Sequence, residues 1–265
     1  MTTPVLVGAK RLSGKHAIVP GGTRGIGAAI ARELLAQGAR VTILGRNPQS
    51  LEKTLVPFVD SGEMARVIAD VVDSQAVAKA FAAASEHFGA IQILVNSAGQ
   101  AISAPFLKTD PELWRRMLNV NVDGAVHCMQ AALPGMLEAG WGRIVTIAST
   151  AGLIGYSYVS AYCASKHALI GLTRALALEV ATKGVTVNAV CPGFTETEML
   201  EATITNITAK TGRTAESARG DLTARNPQKR LVQPEEVANA ACWLCSPGSE
   251  SITGQAIAVA GGEVM

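Results

Sequence analysis

A glycine-rich turn near the start of the chain leaves few folds open to it. His16 to Val19 read as a short buried strand, and G-G-T-R-G-I-G follows at once, from Gly21 to Gly27. Ala28 to Gln37 then read as a helix with Gly38 beyond its end. Glycines at 21, 25 and 27 between a strand and a helix allow a tight turn. They also let backbone N–H groups at the helix N-terminus approach a pyrophosphate. Such a triplet is weak on its own, because turns use glycine anyway; its placement gives it weight. Thr23, Arg24 and Ile26 fill the turn, whose spacing is G-x-x-x-G-x-G rather than G-x-G-x-x-G.

The same cycle repeats along the chain. Strands are expected at Arg40 to Leu44, Ala65 to Ala69, Ile91 to Val95, Ile144 to Ala148, Val185 to Val190 and Gln255 to Val259. Helices are expected at Pro48 to Asp60, Ser74 to Phe88, Pro111 to Glu138, Ala161 to Thr182 and Glu235 to Cys245. Strands alternating with helices imply an α/β fold, a parallel sheet covered on both faces. With seven strands and no linker, the expectation is one doubly wound Rossmann domain over residues 1–265, in which 1–15 form an N-terminal extension. Thr197 to Pro227, rich in Thr, Ala and Arg, is the one irregular segment. Its place after a strand end favours a substrate lid (residues 197–227) over a surface insertion.

Several classes of function are disfavoured. The 23 basic and 21 acidic residues leave a formal charge of +2, which offers no global case for nucleic acid or a membrane surface. Residues 1–15 lack the apolar core of a signal peptide, and no run approaches the ~20 apolar residues of a membrane span. A cytoplasmic protein is therefore expected. Five scattered cysteines suggest no disulfide framework. Cys242 and Cys245 form a C-x-x-C without a second pair or a histidine cluster, so they read as buried helix thiols and no metal site is expected.

Chemistry is concentrated between Ser149 and Lys166. Tyr162 and Lys166 stand four residues apart, about one helical turn, and would rise from the same face. A lysine ammonium beside a phenol lowers a pKa that is ~10 in water, which fits proton transfer to or from a carbonyl or alcohol oxygen. The pair alone has little weight; its neighbours supply the rest. At the end of the second strand, where an acid would hold the adenosine ribose, the chain has Gly45-Arg46. Arg24 and Arg46 would flank a 2′-phosphate, which favours NADP(H) over NAD(H).

With these residues in place, the chain resembles the short-chain dehydrogenase/reductase superfamily over nearly its whole length. The glycine turn matches that family's T-G-x-x-x-G-x-G at every glycine. Asp70-Val71 resembles the acidic pair that meets the adenine. Asn96-Ser97-Ala98-Gly99 resembles N-N-A-G at the end of the fourth strand. Asn121, Ser149, Tyr162 and Lys166 match the catalytic tetrad. Asn188 to Thr197, N-A-V-C-P-G-F-T-E-T, resembles the segment that holds the nicotinamide through Pro192, Gly193, Thr195 and Thr197. Within the superfamily, G-R-I-V-T-I-A-S-T-A-G and R-L-V-Q-P-E-E-V-A are closest to 3-oxoacyl-thioester reductases and polyketide ketoreductases.

The resemblance implies hydride transfer between a nicotinamide and a carbonyl carbon. Tyr162 would act as general acid, Ser149 would hold the carbonyl oxygen, Lys166 would depress the Tyr162 pKa and grip the ribose, and Asn121 would support a water path to Lys166. The implied substrate is a small ketone or acyl thioester, and the implied assembly is a homotetramer. Two departures stand out. Pro20 replaces the threonine that opens the glycine motif, and Ser97 replaces the second asparagine of N-N-A-G; both are expected to loosen the cofactor floor slightly. Carrier-protein docking is weakened because Lys183 is basic at one expected place while Glu138 to Trp141 lack the other basic residue. The substrate wall is expected from Gln100 to Pro105, Leu153 to Tyr158 and the 197–227 segment. The alternatives are an NAD-dependent dehydrogenase of secondary alcohols or 3-hydroxyacyl-CoA and, remotely, a nucleotide sensor without catalysis.

Overall fold

The computed structural model describes residues 10–55 and 62–265, without the side chain of Leu55. Residues 1–9 of the expected extension and 56–60 of the expected second helix lie outside the described residues. Seven parallel strands form one sheet: β1 (His16–Pro20), β2 (Arg40–Gly45), β3 (Met64–Ile68), β4 (Ile93–Asn96), β5 (Gly142–Ile147), β6 (Val185–Pro192) and β7 (Ala256–Val259). Their order is β3-β2-β1-β4-β5-β6-β7. The chain therefore winds outward from β1 in both directions, and the crevice at the reversal opens between β1 and β4, where an open α/β sheet binds its ligand.

Period-two alternation sends successive strand side chains to opposite faces. Val19, Ile43, Ile93 and Val145 pack with α1 (Gly25–Ala36) and α9 (Pro234–Cys245) on one face. Ile18, Leu94, Ile144 and Val187 pack with α3 (Ser74–Phe88), α5 (Gly124–Glu138) and α6 (Ser160–Val180) on the other. Each fully buried Ile or Leu contributes about 1.5–3 kcal/mol of transfer free energy, so the two faces hold the sheet as one slab. Cys242 and Cys245 are free thiols at zero exposure within α9, the buried helix thiols expected from the sequence.

Two expectations need correction. The region from Pro111 to Glu138 is not one helix: α4 (Pro111–Leu118) and α5 are separated by a π turn, Asn119–Asp123. The extra residue in that turn carries the Asn121 side chain inward, where it is 1% exposed. The segment from Thr197 to Pro227 is not irregular but carries α7 (Glu198–Thr211) and α8 (Ala215–Ala224), with α2 (Pro48–Leu55) lying earlier in the chain. Thr203, Thr205 and Thr211 satisfy their hydroxyls by donating to carbonyls four residues back, at 2.7–2.9 Å, which lets a Thr-rich stretch remain helical. Leu200, Ile204, Ala218 and Leu231 give these helices a small core of their own.

Pro20 closes β1 without leaving a gap in the ladder. Its carbonyl accepts from the Ser97 N–H at 3.0 Å, and the Gly21 N–H takes up the next bond, to Leu44 O, at 2.8 Å.

Candidate active site

The carboxyl ends of β1 to β6 open into one cavity of about 890 Å³. The ends of β1, β2 and β3 supply its first half. Gly21 and Gly25 adopt φ of +80° and +51°, which an L side chain rarely allows. A Cβ on Gly21 would stand 2.7 Å from the Ala98 nitrogen, and one on Gly27 would stand 2.2 Å from the Gly21 carbonyl oxygen. These glycines let the first turn of α1 close directly over the end of β4. No side chain caps α1, and its first turn holds no acid, so its leading N–H groups face the cavity. Arg46, just beyond β2, donates to Asp70 Oδ2 at 3.4 Å from an exposed position. Arg24 lines the same end and forms no ion pair among the described residues. Val71 is buried beneath Gly124, where its carbonyl accepts from His127 Nδ1 at 2.9 Å.

The ends of β4, β5 and β6 build the second half. Ala98 and Gly99 line it after β4, Ser149 after β5, Pro192 at the end of β6, and Gly193, Thr195 and Thr197 after it. Ser149 stands at the head of a short 3₁₀ turn, Thr150–Gly152, and its Oγ accepts from the Ala151 N–H at 3.1 Å. Tyr162 and Lys166 project from the first turns of α6 into the same space. Lys166, 6% exposed, donates from Nζ to the Ile147 carbonyl at 2.9 Å and lies 5.6 Å from the centre of the Tyr162 ring.

The electrostatics reverse one expectation. Burial pushes the Tyr162 phenol above its ordinary value, an effect opposed by the Ser149 side chain, rather than Lys166 drawing it down. Burial also pushes Lys166 down to about 8. Both groups lose water on entering the site, and the lysine directs its proton at a backbone carbonyl instead of the phenol. Tyr162 therefore holds its proton at neutral pH, the form a proton donor needs.

Two of the expected site residues, Asn121 and Asn96, do not line the cavity but stand behind it. Asn121 accepts from the Gln100 N–H at 2.9 Å and donates to the Gln100 carbonyl and to Ser165 Oγ, both at 3.0 Å. It fixes the floor under Gly99, where a Cβ would come 3.2 Å from Asn121 Oδ1. Asn96 is 4% exposed beneath the floor, its amide without a hydrogen-bond partner among the described residues. Of the expected substrate wall, Tyr156 to Tyr158 line the cavity, whereas Leu153 packs beside Ala148 and Ile170. Sequence reading marked the wall by segment and missed Phe194, after β6, which meets Tyr156 edge to face at 6.0 Å. It also missed the bridge from Asn206 Nδ2 in α7 to Ser103 Oγ at 2.9 Å, which joins the two helices over the cavity to the segment after β4.

A family model described as Enoyl-(Acyl carrier protein) reductase matches residues 21–263. A putative ketoacyl reductase of Streptomyces coelicolor is 40% identical, covering 93% of this chain and 95% of its own. The chain belongs to the short-chain dehydrogenase/reductase family. Other members include the 3-oxoacyl-(acyl-carrier-protein) reductase FabG of Pseudomonas aeruginosa, 36% identical over 96% of this chain and 99% of its own. A D-beta-hydroxybutyrate dehydrogenase of Rhizobium meliloti is 36% identical, with 94% and 98% covered. Among solved structures, a variant of actinorhodin polyketide ketoreductase crystallised with NADPH superposes with a TM-score of 0.91 at 38% identity, covering 96% of this chain and 98% of that one. This chain is accordingly an oxidoreductase of the CH–OH/C=O pair that uses a nicotinamide dinucleotide. The residues present fit that group: left-handed glycines and uncapped helix amides lie at one end of the cavity, and proton-carrying side chains at the other. Among the described residues no helix is long and apolar enough to cross a membrane, and no His, Cys, Asp and Glu side chains cluster to hold a metal ion.

Proposed function

We propose that the protein reduces a ketone, a 3-oxoacyl thioester or a related compound, to a secondary alcohol, with NADP(H) preferred over NAD(H). One observation carries the reading: Ser149, Tyr162 and Lys166 share a cavity whose far end is the glycine turn. A bound nicotinamide dinucleotide supplies the hydride at its C4. Tyr162, protonated at neutral pH, gives its proton to the carbonyl oxygen as negative charge develops there, and Ser149 donates a hydrogen bond to the same oxygen. Lys166 holds positive charge below pH of about 8 beside the phenol, which eases the proton's departure. Asn121 acts from behind, holding Gln100 and Ser165 so that α6 presents Tyr162 and Lys166 to the cavity.

The cofactor preference is supported by Arg24 and Arg46 and by the absence of an acid at the end of β2. Asp70, already paired with Arg46, would yield that arginine to a 2′-phosphate. The helices of residues 197–227 serve as the lid, supported by the Asn206 to Ser103 bridge. The 48% hydrophobic composition supports burial of apolar surface between subunits, and the proposed assembly is a cytoplasmic homotetramer. The test is a panel of acetoacetyl-CoA, a carrier-bound analogue and bulky ketones, each with NADPH and NADH. Turnover of a ketone with NADPH preferred is expected. Preference for NADH, or for oxidation of alcohols with NAD, would overturn the reading.

A further inference from the structure

The last turn of the chain reaches back to the reaction site. After β7, Gly261 and Gly262 adopt φ of +60° and +91°, and the chain turns so that Glu263 lies over the ends of neighbouring strands. Its Oε1 is 2.8 Å from the Tyr156 hydroxyl, which is itself 2.8 Å from Thr150 Oγ1. A carboxylate offers only acceptors, so the single phenol proton serves Glu263, and the Thr150 hydroxyl can serve the phenol oxygen. Burial and the Glu263 charge both push the Tyr156 phenol upward, so it keeps that proton throughout the working pH range. The other carboxylate oxygen abuts Gly193: a Cβ there would stand 3.0 Å from Glu263 Oε2. The Arg225 guanidinium, at the end of α8, lies 5.1 Å from the centre of the Tyr156 ring. Glu263 does not itself line the cavity; Tyr156, Thr150 and Gly193 do.

We infer that Glu263 is a positioning residue for the reaction, clamping the Thr150 turn that presents Ser149, through Tyr156, to the segment that follows β7. One carboxylate thereby ties the segment after β7 to the turn after β5, while the Gly193 N–H between them is held by the Val259 carbonyl at 3.1 Å. The clamp rests on the reading of Ser149 as the group that holds the carbonyl oxygen. Without the carboxylate, Tyr156 loses its anchor and the turn carrying Ser149 is free to shift. A shift of that kind lowers the rate of the chemical step more than it weakens cofactor binding.

The experiment compares Glu263→Ala, Glu263→Gln, Tyr156→Phe and the Tyr156→Phe/Glu263→Ala double variant with the wild type. Hydrogen exchange by mass spectrometry on the free proteins is expected to show residues 149–156 exchanging about tenfold faster in Glu263→Ala, with α1 and α9 unchanged. Steady-state reduction of acetoacetyl-CoA with NADPH is expected to show kcat about threefold to tenfold lower in each of Glu263→Ala and Tyr156→Phe. NADPH Kd should stay within about twofold, and the double variant should fall no further than the singles. Glu263→Gln keeps an acceptor for the phenol and is expected to restore both readouts. Unchanged exchange at 149–156, multiplicative losses in the double variant, or lower thermal stability with unaltered kcat would each overturn the clamp. Should the wild type reduce no ketone in the panel, the proposed reaction fails, and the exchange comparison alone decides the clamp.

Discussion

The two ends of the cavity are built by different physics. At the glycine-turn end, backbone does the work: glycines at the close of β1, uncapped amides of α1 and a backbone bond from Ser97 to Pro20. Toward α7 and the turn after β5, side chains from residues far apart in sequence meet: Tyr156 with Glu263, Asn206 with Ser103, Tyr156 with Phe194. A backbone cradle tolerates little change, because an added Cβ strikes main chain that cannot move. A wall of side chains can be repacked, which is how one scaffold serves many ketones.

The largest effect is expected at Tyr162. Tyr162→Phe should lower kcat by about 10²–10⁴-fold while leaving NADPH binding, followed by fluorescence, within about twofold. Full activity in that variant would remove Tyr162 from the mechanism. Next comes Gly27→Ala, whose Cβ would lie 2.2 Å from the Gly21 oxygen. It should destabilise the fold by about 1–3 kcal/mol in urea titration and abolish tight dinucleotide binding. A silent Gly27→Ala would show that the cradle is softer than its contacts indicate. Arg24→Ala should reduce the preference for NADPH over NADH about tenfold, measured as a ratio of Kd values.

Smaller effects test the electrostatics and the lid. The kcat/KM for reduction should decline above about pH 8, as Lys166 loses its charge, and a profile flat to pH 10 would break that assignment. Asn206→Ala removes the bond to Ser103 and should raise the ketone KM about twofold to fivefold with kcat little changed. Away from the cavity, His16 is 1% exposed; its Nδ1 meets the Gly89 carbonyl at 2.7 Å and its Nε2 meets Thr42 Oγ1 at 2.9 Å. Burial lowers its pKa, so the unfolded chain binds the proton first and stability declines as pH falls below ~6.5. Denaturation at pH 7.5 and 5.5 should show a loss of up to ~1 kcal/mol, removed in His16→Gln.

Much of this molecule was legible in residue order. Glycine placement, period-two strands and the Tyr162 to Lys166 spacing are local signals, and local geometry fixes what they become. The segment from Thr197 to Pro227 reads as irregular because threonine has weak helix propensity; α7 forms because those hydroxyls bond their own helix and because Leu200 and Ile204 find a small core. The break at Asn121 was hidden because a π turn inserts one residue without changing composition.

The chain's order of residues by itself determined the parallel sheet, the glycine turn and the candidate proton-transfer pair Tyr162 and Lys166, since each depends on neighbours within a few residues. Only the tertiary structure decided the direction in which Tyr162 and Lys166 shift, because burial is the largest cause for each. It alone brought Glu263 within 2.8 Å of Tyr156, a contact spanning 107 residues that no local pattern encodes.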